Sequence, residues 1–282
     1  MITNKAVCII QRGKQKSTML ASAVAAGMEH CRVFYGDSGP FNLAHDETPV
    51  IIGTHPTTCD LLHDFRQLKR PFVVIDNGYL KGYKEGGYFR ATTNAMQWIG
   101  GEDGRRRVDR DVAKARFHAL NLPMMKDWRE PTDTGHILLI QQSPVWYEMM
   151  GIDMEAWTWL ARNRLRQRTD REIIVRHKPL KGTVEQPTLE EHFDNCAAVV
   201  GLSSCAMIKA VLEGIQVFPL AKCAASAFSS NHLGDIDFPA TPRRLCGLYD
   251  LAANQWTADE IASGLMWDAL RQRYDDNFYE LS

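Results

Sequence analysis

Asp194–Leu220, DNCAAVVGLSSCAMIKAVLEGIQVFPL, reads as strand, Ser-Ser turn, helix, glycine and strand. Ala197, Val199 and Val200 form a short apolar run that Gly201 ends, and a helical period then carries Met207 to Leu212. Between them Ser203 and Ser204 supply two small hydroxyls and free backbone N–H groups. A helix that starts at the carboxyl end of a strand aims its positive dipole end and unpaired amides at one place. That setting suits a diphosphate, in the crevice where open α/β sheets bind ligands. A serine at a helix start also serves as a plain N-cap, and the turn alone does not separate the two uses.

Working outward, Arg171–Pro179, REIIVRHKP, is a β-rich apolar run that ends in Arg176, His177 and Lys178. Cationic groups held at the exit of a strand can neutralise a leaving phosphate. Toward the N-terminus, short apolar runs alternate with amphipathic ones, the pattern of an α/β fold. Strands are expected at Ala6–Ile10, Cys31–Tyr35, Val50–Gly53 and Phe72–Asp76, with helices near Ser17–Met28 and Thr57–Gln67. A Gly- and Tyr-rich stretch, Gly78–Gly104, a helix over Asp109–Leu120 and a Pro-bounded connector, Pro123–Gly135, follow. The second alternation starts with the strand Ile137–Gln141 and continues with a helix capped by Asp153, the strand Glu172–Arg176, and a helix whose capping box is Thr188 and Glu191. A last helix opens on the capping box Thr257 and Glu260. The expected organisation is two domains, 1–125 and 126–282, with the last helix free to cross back.

The chain has 282 residues, 45% of them hydrophobic and 24% charged, enough for a sizeable core or two ordinary domains. No apolar run approaches the roughly 18 residues of a membrane span, and MITNKAVCIIQRGKQKS lacks a signal pattern, so a cytoplasmic protein is expected. A net charge of −1 excludes a general polyelectrolyte binder; the one concentrated basic segment holds Arg105, Arg106 and Arg107. The seven cysteines lie singly, without a CxxC pair, and read as reduced and mostly buried.

Familiar motifs are missing. RGKQKST at 12–18 follows a strand but does not satisfy the P-loop pattern, and neither GxGxxG nor GxSxG occurs. His55 and His63 have no metal-ligand spacing, so no metal is expected. Three loops at expected carboxyl ends of strands remain: Tyr35-Gly36-Asp37-Ser38, Gly53-Thr54-His55-Pro56 and Asp76-Asn77-Gly78-Tyr79. They should converge on one rim, where Asp37, His55 and Asp76 are each candidates for a general base that takes a proton from an acceptor hydroxyl. The same residues are also strong turn formers.

RHKP followed by LSSCAMIKAVLEGIQVF resembles the nucleotide-sugar half of B-type glycosyltransferases, which have two Rossmann-like parallel-sheet domains facing a cleft. Bacterial sialyltransferases and capsule-sugar transferases of that kind carry a His-Pro and a Ser-Ser motif in this order; here Lys178 separates His177 from Pro179. Glu213 before Gly214 is similar in place to the turn by which such enzymes meet the ribose, with Gln216 where proline is usual. DNGYL, GYFRATTNAMQ and NQWTADEIASG also resemble phage-encoded glycosyltransferases. The resemblance implies transfer of a sugar from a nucleotide-sugar, a UDP-sugar first, to an acceptor hydroxyl, with no tightly bound cofactor and, for a phage protein, in the host cytoplasm. Arg176, His177, Lys178, Ser203, Ser204 and Glu213 would hold the nucleotide, and Asp37 or Asp76 ahead of His55 would activate the acceptor. If that acceptor is a hydroxymethylated pyrimidine in DNA, Arg90, Trp98 and Arg105–Arg107 would supply phosphate and stacking contacts. A glycan acceptor, and a nucleotide-binding protein without turnover, remain open alternatives.

Overall fold

Apolar runs of four to six residues, too short for buried helices and bounded by Gly, Asn or Pro, become the strands of two separate sheets. A computed structural model describes residues 2–36, 41–53, 55–96, 109–130, 132, 134–179, 187–229, 232–237 and 241–277, the side chains of 57 and 273–277 excepted. Asp37, Trp98, Arg105, Arg106 and Arg107 lie outside the described residues. The chain divides into two compact units. Unit 1 comprises Met1–Leu120, Glu148–Met150 and Asp250–Ser282; unit 2 comprises Asn121–Tyr147 and Gly151–Tyr249.

The strands are β1 (Lys5–Ile10), β2 (His30–Tyr35), β3 (Thr48–Ile52), β4 (Val73–Asn77), β5 (Tyr88–Thr93), β6 (His136–Ile140), β7 (Ile173–Arg176), β8 (Cys196–Gly201), β9 (Gln216–Pro219) and β10 (Gln255–Thr257). The helices are α1 (Gln15–Ala26), α2 (Cys59–Gln67), α3 (Tyr83–Gly86), α4 (Arg110–Ala119), α5 (Pro144–Met149), α6 (Met154–Arg166), α7 (Leu189–Phe193), α8 (Ala206–Leu212), α9 (Leu245–Ala252), α10 (Ala258–Ala262) and α11 (Leu265–Asn277).

Unit 1 holds a six-stranded sheet in the order β10-β5-β4-β3-β1-β2. Its last four members in that order are parallel, β5 runs antiparallel to β4, and β10 antiparallel to β5. Unit 2 holds four parallel strands, β7-β6-β8-β9. The two parallel cores share one plan. The first strand of each, β1 or β6, sends its successor to one side and the next two to the other, so the direction of winding reverses between β1 and β3 and between β6 and β8. Such reversal points leave a crevice outside the carboxyl ends of the strands.

Burial follows from the strand composition. Val7, Ile9, Val50, Ile51, Ile52, Val73, Val74 and Ile75 are wholly buried in unit 1, as are Ile137, Leu138, Leu139, Val199 and Val200 in unit 2. In unit 1, α1 supplies Leu20, Ala21 and Val24 to one face of the sheet, and the C-terminal helices add Ile261, Met266, Trp267 and Leu270. The last helix is two helices, because Gly264 sits at φ +82° between α10 and α11, a conformation that helical residues do not adopt. Two elements of unit 1 differ from the sequence reading: β5 forms within the Gly- and Tyr-rich stretch, and β10 pairs its three residues with Tyr88, Phe89 and Arg90. The cysteines are more exposed than expected: Cys8, Cys196 and Cys223 are buried, Cys31, Cys59 and Cys205 half-buried, and Cys246 exposed.

The capping boxes form as their spacing predicts. Thr188 Oγ1 accepts from the Glu191 N–H at 3.2 Å while Glu191 Oε2 accepts from the Thr188 N–H at 2.7 Å. Glu260 does the same with Thr257 and also takes Arg116 at 2.5 Å. Burial pushes the Glu260 carboxyl up, but the Arg116 and Thr257 hydrogen bonds outweigh it and hold it below the usual carboxylate range. A carboxyl held low stabilises the fold at pH values above its unfolded pKa of about 4.3, and that contribution is lost as pH falls through its folded value. Arg116→Met should therefore flatten the acid limb of a melting-temperature profile below about pH 4.5; an unchanged limb would mean that other carboxyls dominate acid unfolding.

The connector after Leu120 docks on unit 2. The Lys126 N–H donates to Leu212 O at 3.0 Å and the Arg129 N–H to Gly214 O at 2.7 Å. Trp128 donates to Pro242 O at 3.1 Å and carries the Arg244 guanidinium 4.3 Å above its ring. Among the described residues no helix is long and apolar enough to cross a membrane, and no group of three or more His, Cys, Asp or Glu is placed to hold a metal ion.

Candidate functional site

In unit 2 the register aligns Arg176 of β7 with Ile140 of β6, Ile140 with Gly201 of β8, and Gly201 with Pro219 of β9. These four residues form one row across the carboxyl end of the sheet. The residues just past the row carry the polar groups. Gln142, two beyond Ile140, donates from Nε2 to Ser203 Oγ, two beyond Gly201, at 2.9 Å. This bond bridges β6 and β8, the two strands between which the winding reverses. Gln141 is tied down beside it: its N–H donates to Arg176 O at 3.0 Å and its Nε2 to Thr158 Oγ1 at 2.5 Å.

Ser203 is 5% exposed, buried enough that its hydroxyl needs partners. Ser204 Oγ accepts from the Ala206 N–H at 3.2 Å, the local bond of a helix start. Ser204 thus makes a local bond just ahead of α8, whose N-cap position is Cys205, while Ser203 stands at the carboxyl end of the strands. Because α8 is only seven residues long, side chains and strand ends weigh more here than a helix dipole. Arg176 is 9% exposed, whereas His177 and Lys178, next along the chain, are exposed. Burial pulls the Arg176 guanidinium below its usual pKa, with Glu190 acting the other way.

Glu213 lies elsewhere. It follows the carboxyl end of α8, so the full helix separates it from Ser203 and Ser204. There it accepts from Lys126 Nζ at 2.5 Å and Arg129 at 3.3 Å, which makes it part of the docking of the connector. Gln142 and Tyr147 escaped the sequence reading, although the QQS that follows β6 was a visible polar signal. Tyr147 is 1% exposed against Trp146 and Trp157 at ring distances of 5.5 and 5.6 Å. Burial pushes its phenol up to about 12; the Gln142 backbone acts weakly the other way without reaching hydrogen-bond geometry.

In unit 1 the same end of the parallel strands carries His55 after β3 and Asp76 and Asn77 of β4, with Lys16 of α1 against the last two. Lys16 Nζ donates to Asn77 Oδ1 at 3.2 Å and lies 3.7 Å from Asp76 Oδ1. Arg90 reaches back from β5 to Asp76 Oδ2 at 2.9 Å and Asn77 O at 2.8 Å, with its guanidinium 5.6 Å from the Tyr79 ring. At 9% exposure Arg90 points into unit 1, which corrects its expected place on a nucleic-acid surface. Its strand has Asp76 as its antiparallel partner, so the charge pair fixes the β4–β5 register. His55 is 6% exposed, extended before Pro56, and its carbonyl accepts from the Thr58 hydroxyl at 2.7 Å. Burial lowers its imidazole pKa.

No protein-family model matches the chain, and no curated protein matches it. Among solved structures, the chain resembles the β-Kdo 2,7 transferase of Thermosulfurimonas dismutans KpsC with a TM-score of 0.50 and 10% identity, over 93% of this chain and 98% of that one. The β-Kdo 2,4 transferase of the same KpsC gives a TM-score of 0.45 and 11% identity, over 88% and 91%. The likeness is one of fold: an α/β chain of two Rossmann-like units, as in B-type glycosyltransferases.

Proposed function

We propose that the protein is a glycosyltransferase whose unit 2 holds a nucleotide-sugar donor by its phosphates and whose unit 1 supplies the group that deprotonates the acceptor. The observation that carries this reading is the Gln142–Ser203 hydrogen bond across the reversal point of the unit 2 sheet, with Arg176 one strand away. The chemistry asks for little more. The acceptor hydroxyl gives up its proton, its oxygen bonds to the anomeric carbon, and the bond from that carbon to the phosphate oxygen breaks. The departing phosphate carries negative charge, which Arg176, the exposed Lys178 and the Ser203 hydroxyl can stabilise.

We assign the proton acceptor to His55. Its imidazole is neutral at pH 7 because burial disfavours the charged form, and a neutral imidazole is the form that accepts a proton. Asp76 is held by Arg90 and Lys16, so its role is to anchor the rim on which the acceptor rests. The acceptor we propose is a glycan hydroxyl. The fold is shared with a sugar transferase, and Arg90, one of the cations expected to serve a DNA acceptor, is buried against Asp76.

Thermal unfolding against UDP, GDP, CMP, dTDP, ATP and their sugar conjugates tests the pocket directly. A ligand at a hundredfold excess over its dissociation constant adds about 2.7 kcal/mol to the folded state. One base should stand out. Arg176→Met should then weaken the selected nucleotide by about 10- to 100-fold, the worth of a lost charge-assisted hydrogen bond of roughly 1.5–3 kcal/mol. Absence of a shift with every nucleotide at millimolar concentration would remove the proposed pocket.

A further inference from the structure

Two of the seven cysteines, far apart in sequence, meet in unit 1. In the β1–β2 register Ala6 stands opposite Cys31 and Cys8 opposite Val33, so Cys8 and Cys31 are diagonal neighbours on one face of the sheet. Their Sγ atoms are 3.5 Å apart. Cys8 is wholly buried on an inner strand, beneath the helices that cover this face. Cys31 is half-buried on β2, an edge of the sheet. Its sulfur also lies 3.8 Å from the Arg32 carbonyl, a long contact for a thiol. The hydrogen bond from Cys8 holds the Cys31 thiol below the usual thiol range, while that bond and burial push Cys8 up. Cys8 is thus the harder of the two thiols to deprotonate. A partly exposed sulfur beside a second, buried thiol that can resolve it is the arrangement that peroxides oxidise first.

We propose that Cys31 and Cys8 are a peroxide-oxidisable pair that closes a reversible disulfide between β1 and β2. In the first step the Cys31 thiolate attacks one oxygen of hydrogen peroxide, the O–O bond breaks, and with one proton taken up the products are Cys31 sulfenic acid and water. In the second step the Cys8 sulfur attacks the Cys31 sulfur, the S–O bond breaks, and the hydroxyl leaves as water with the Cys8 proton. Two thiols and one peroxide give one disulfide and two waters. A disulfide needs its sulfurs at about 2.05 Å, so the pair must close by about 1.5 Å. Diagonal neighbours on adjacent strands have Cα atoms roughly 7–8 Å apart, a little beyond the span of a relaxed disulfide, so closure requires the edge strand β2 to shift toward β1. The bridge would fix the edge strand that ends at Tyr35, over whose ring Arg12 lies at 4.1 Å.

The test is brief exposure of the full chain to stoichiometric hydrogen peroxide, alkylation under denaturing conditions, trypsin digestion and mass spectrometry. The expected product joins the peptide 6–12 to the peptide 17–32 through Cys8 and Cys31, disappears with dithiothreitol, and accompanies a rise in melting temperature that dithiothreitol reverses. Cys8→Ser removes the second thiol but keeps a hydrogen-bond donor beside Cys31, so Cys31 should then accumulate as a sulfenic acid that dimedone traps. Cys31 that stays free while the exposed Cys246 is oxidised would overturn the proposal. So would a link between Cys205 and Cys223 in place of this one.

Discussion

His55→Ala is expected to lower turnover by about 10²- to 10⁴-fold, the usual worth of a positioned general base, with donor affinity unchanged. The donor is assigned to unit 2 and His55 belongs to unit 1, so the substitution separates the chemical step from nucleotide binding. The pH profile gives a second reading. A buried imidazole titrates below the ordinary histidine value of about 6.5, so the acid limb of kcat/KM should fall below that pH and vanish in the variant. Asp76→Asn provides the contrast. It breaks the pair with Arg90 at 2.9 Å and leaves a buried guanidinium without its carboxylate, so the expected loss is stability as well as rate. If His55→Ala kept full activity while Asp76→Asn lost turnover without any fall in melting temperature, the base would be Asp76.

Gly214→Ala should cause the largest loss of stability, on the order of 3–5 kcal/mol, seen as early melting of unit 2. Gly214 has φ +78°, and a Cβ built there would stand 1.9 Å from the Asp127 carbonyl oxygen. The carbonyl it meets belongs to the backbone, so no side chain can swing aside. The connector would have to lift from the turn between α8 and β9, which breaks the Arg129 N–H bond to Gly214 O and loosens Lys126 and Arg129 from Glu213. Gly151→Ala serves as a control, since its φ of +65° is similarly strained but a Cβ there meets nothing within 4 Å. An equal effect at both sites would show that backbone strain alone sets the cost.

The parallel cores were legible because their strands are continuous apolar runs, and the helix starts because capping boxes work at fixed spacing. Thr188 with Glu191, Thr257 with Glu260, and Asp153, whose side chain accepts from Ala156, all act as their positions in the chain predict. The antiparallel pair was not legible. β5 alternates weakly, as YFRATT, and owes its place to Asp76 opposite Arg90; β10 has three residues and a partner more than 160 positions away. No local period encodes such a pairing. In the candidate site, Ser203 and Arg176 could be named from strand ends, but Gln142 gains its meaning only from the strand order that puts β6 beside β8. Glu213 shows the reverse: it is only nine residues beyond Ser204 in sequence, but α8 carries it to the other end of the sheet. Cys8 and Cys31 looked solitary because their contact depends on register between two strands.

The return of residues 250–282 to unit 1 also sets an order of events during synthesis. Domains generally fold as the ribosome delivers them, at about 5–20 residues per second. Unit 2 has all its strands once Tyr249 has emerged, whereas the sheet of unit 1 still lacks β10, and its core lacks Trp256, Ile261, Met266, Trp267 and Leu270. Of the two units, the one whose translation begins earlier is therefore the later to become complete. Until then β5 offers an unpaired edge and α1 an uncovered apolar face, so a nascent chain paused before residue 250 would be the form that chaperones hold.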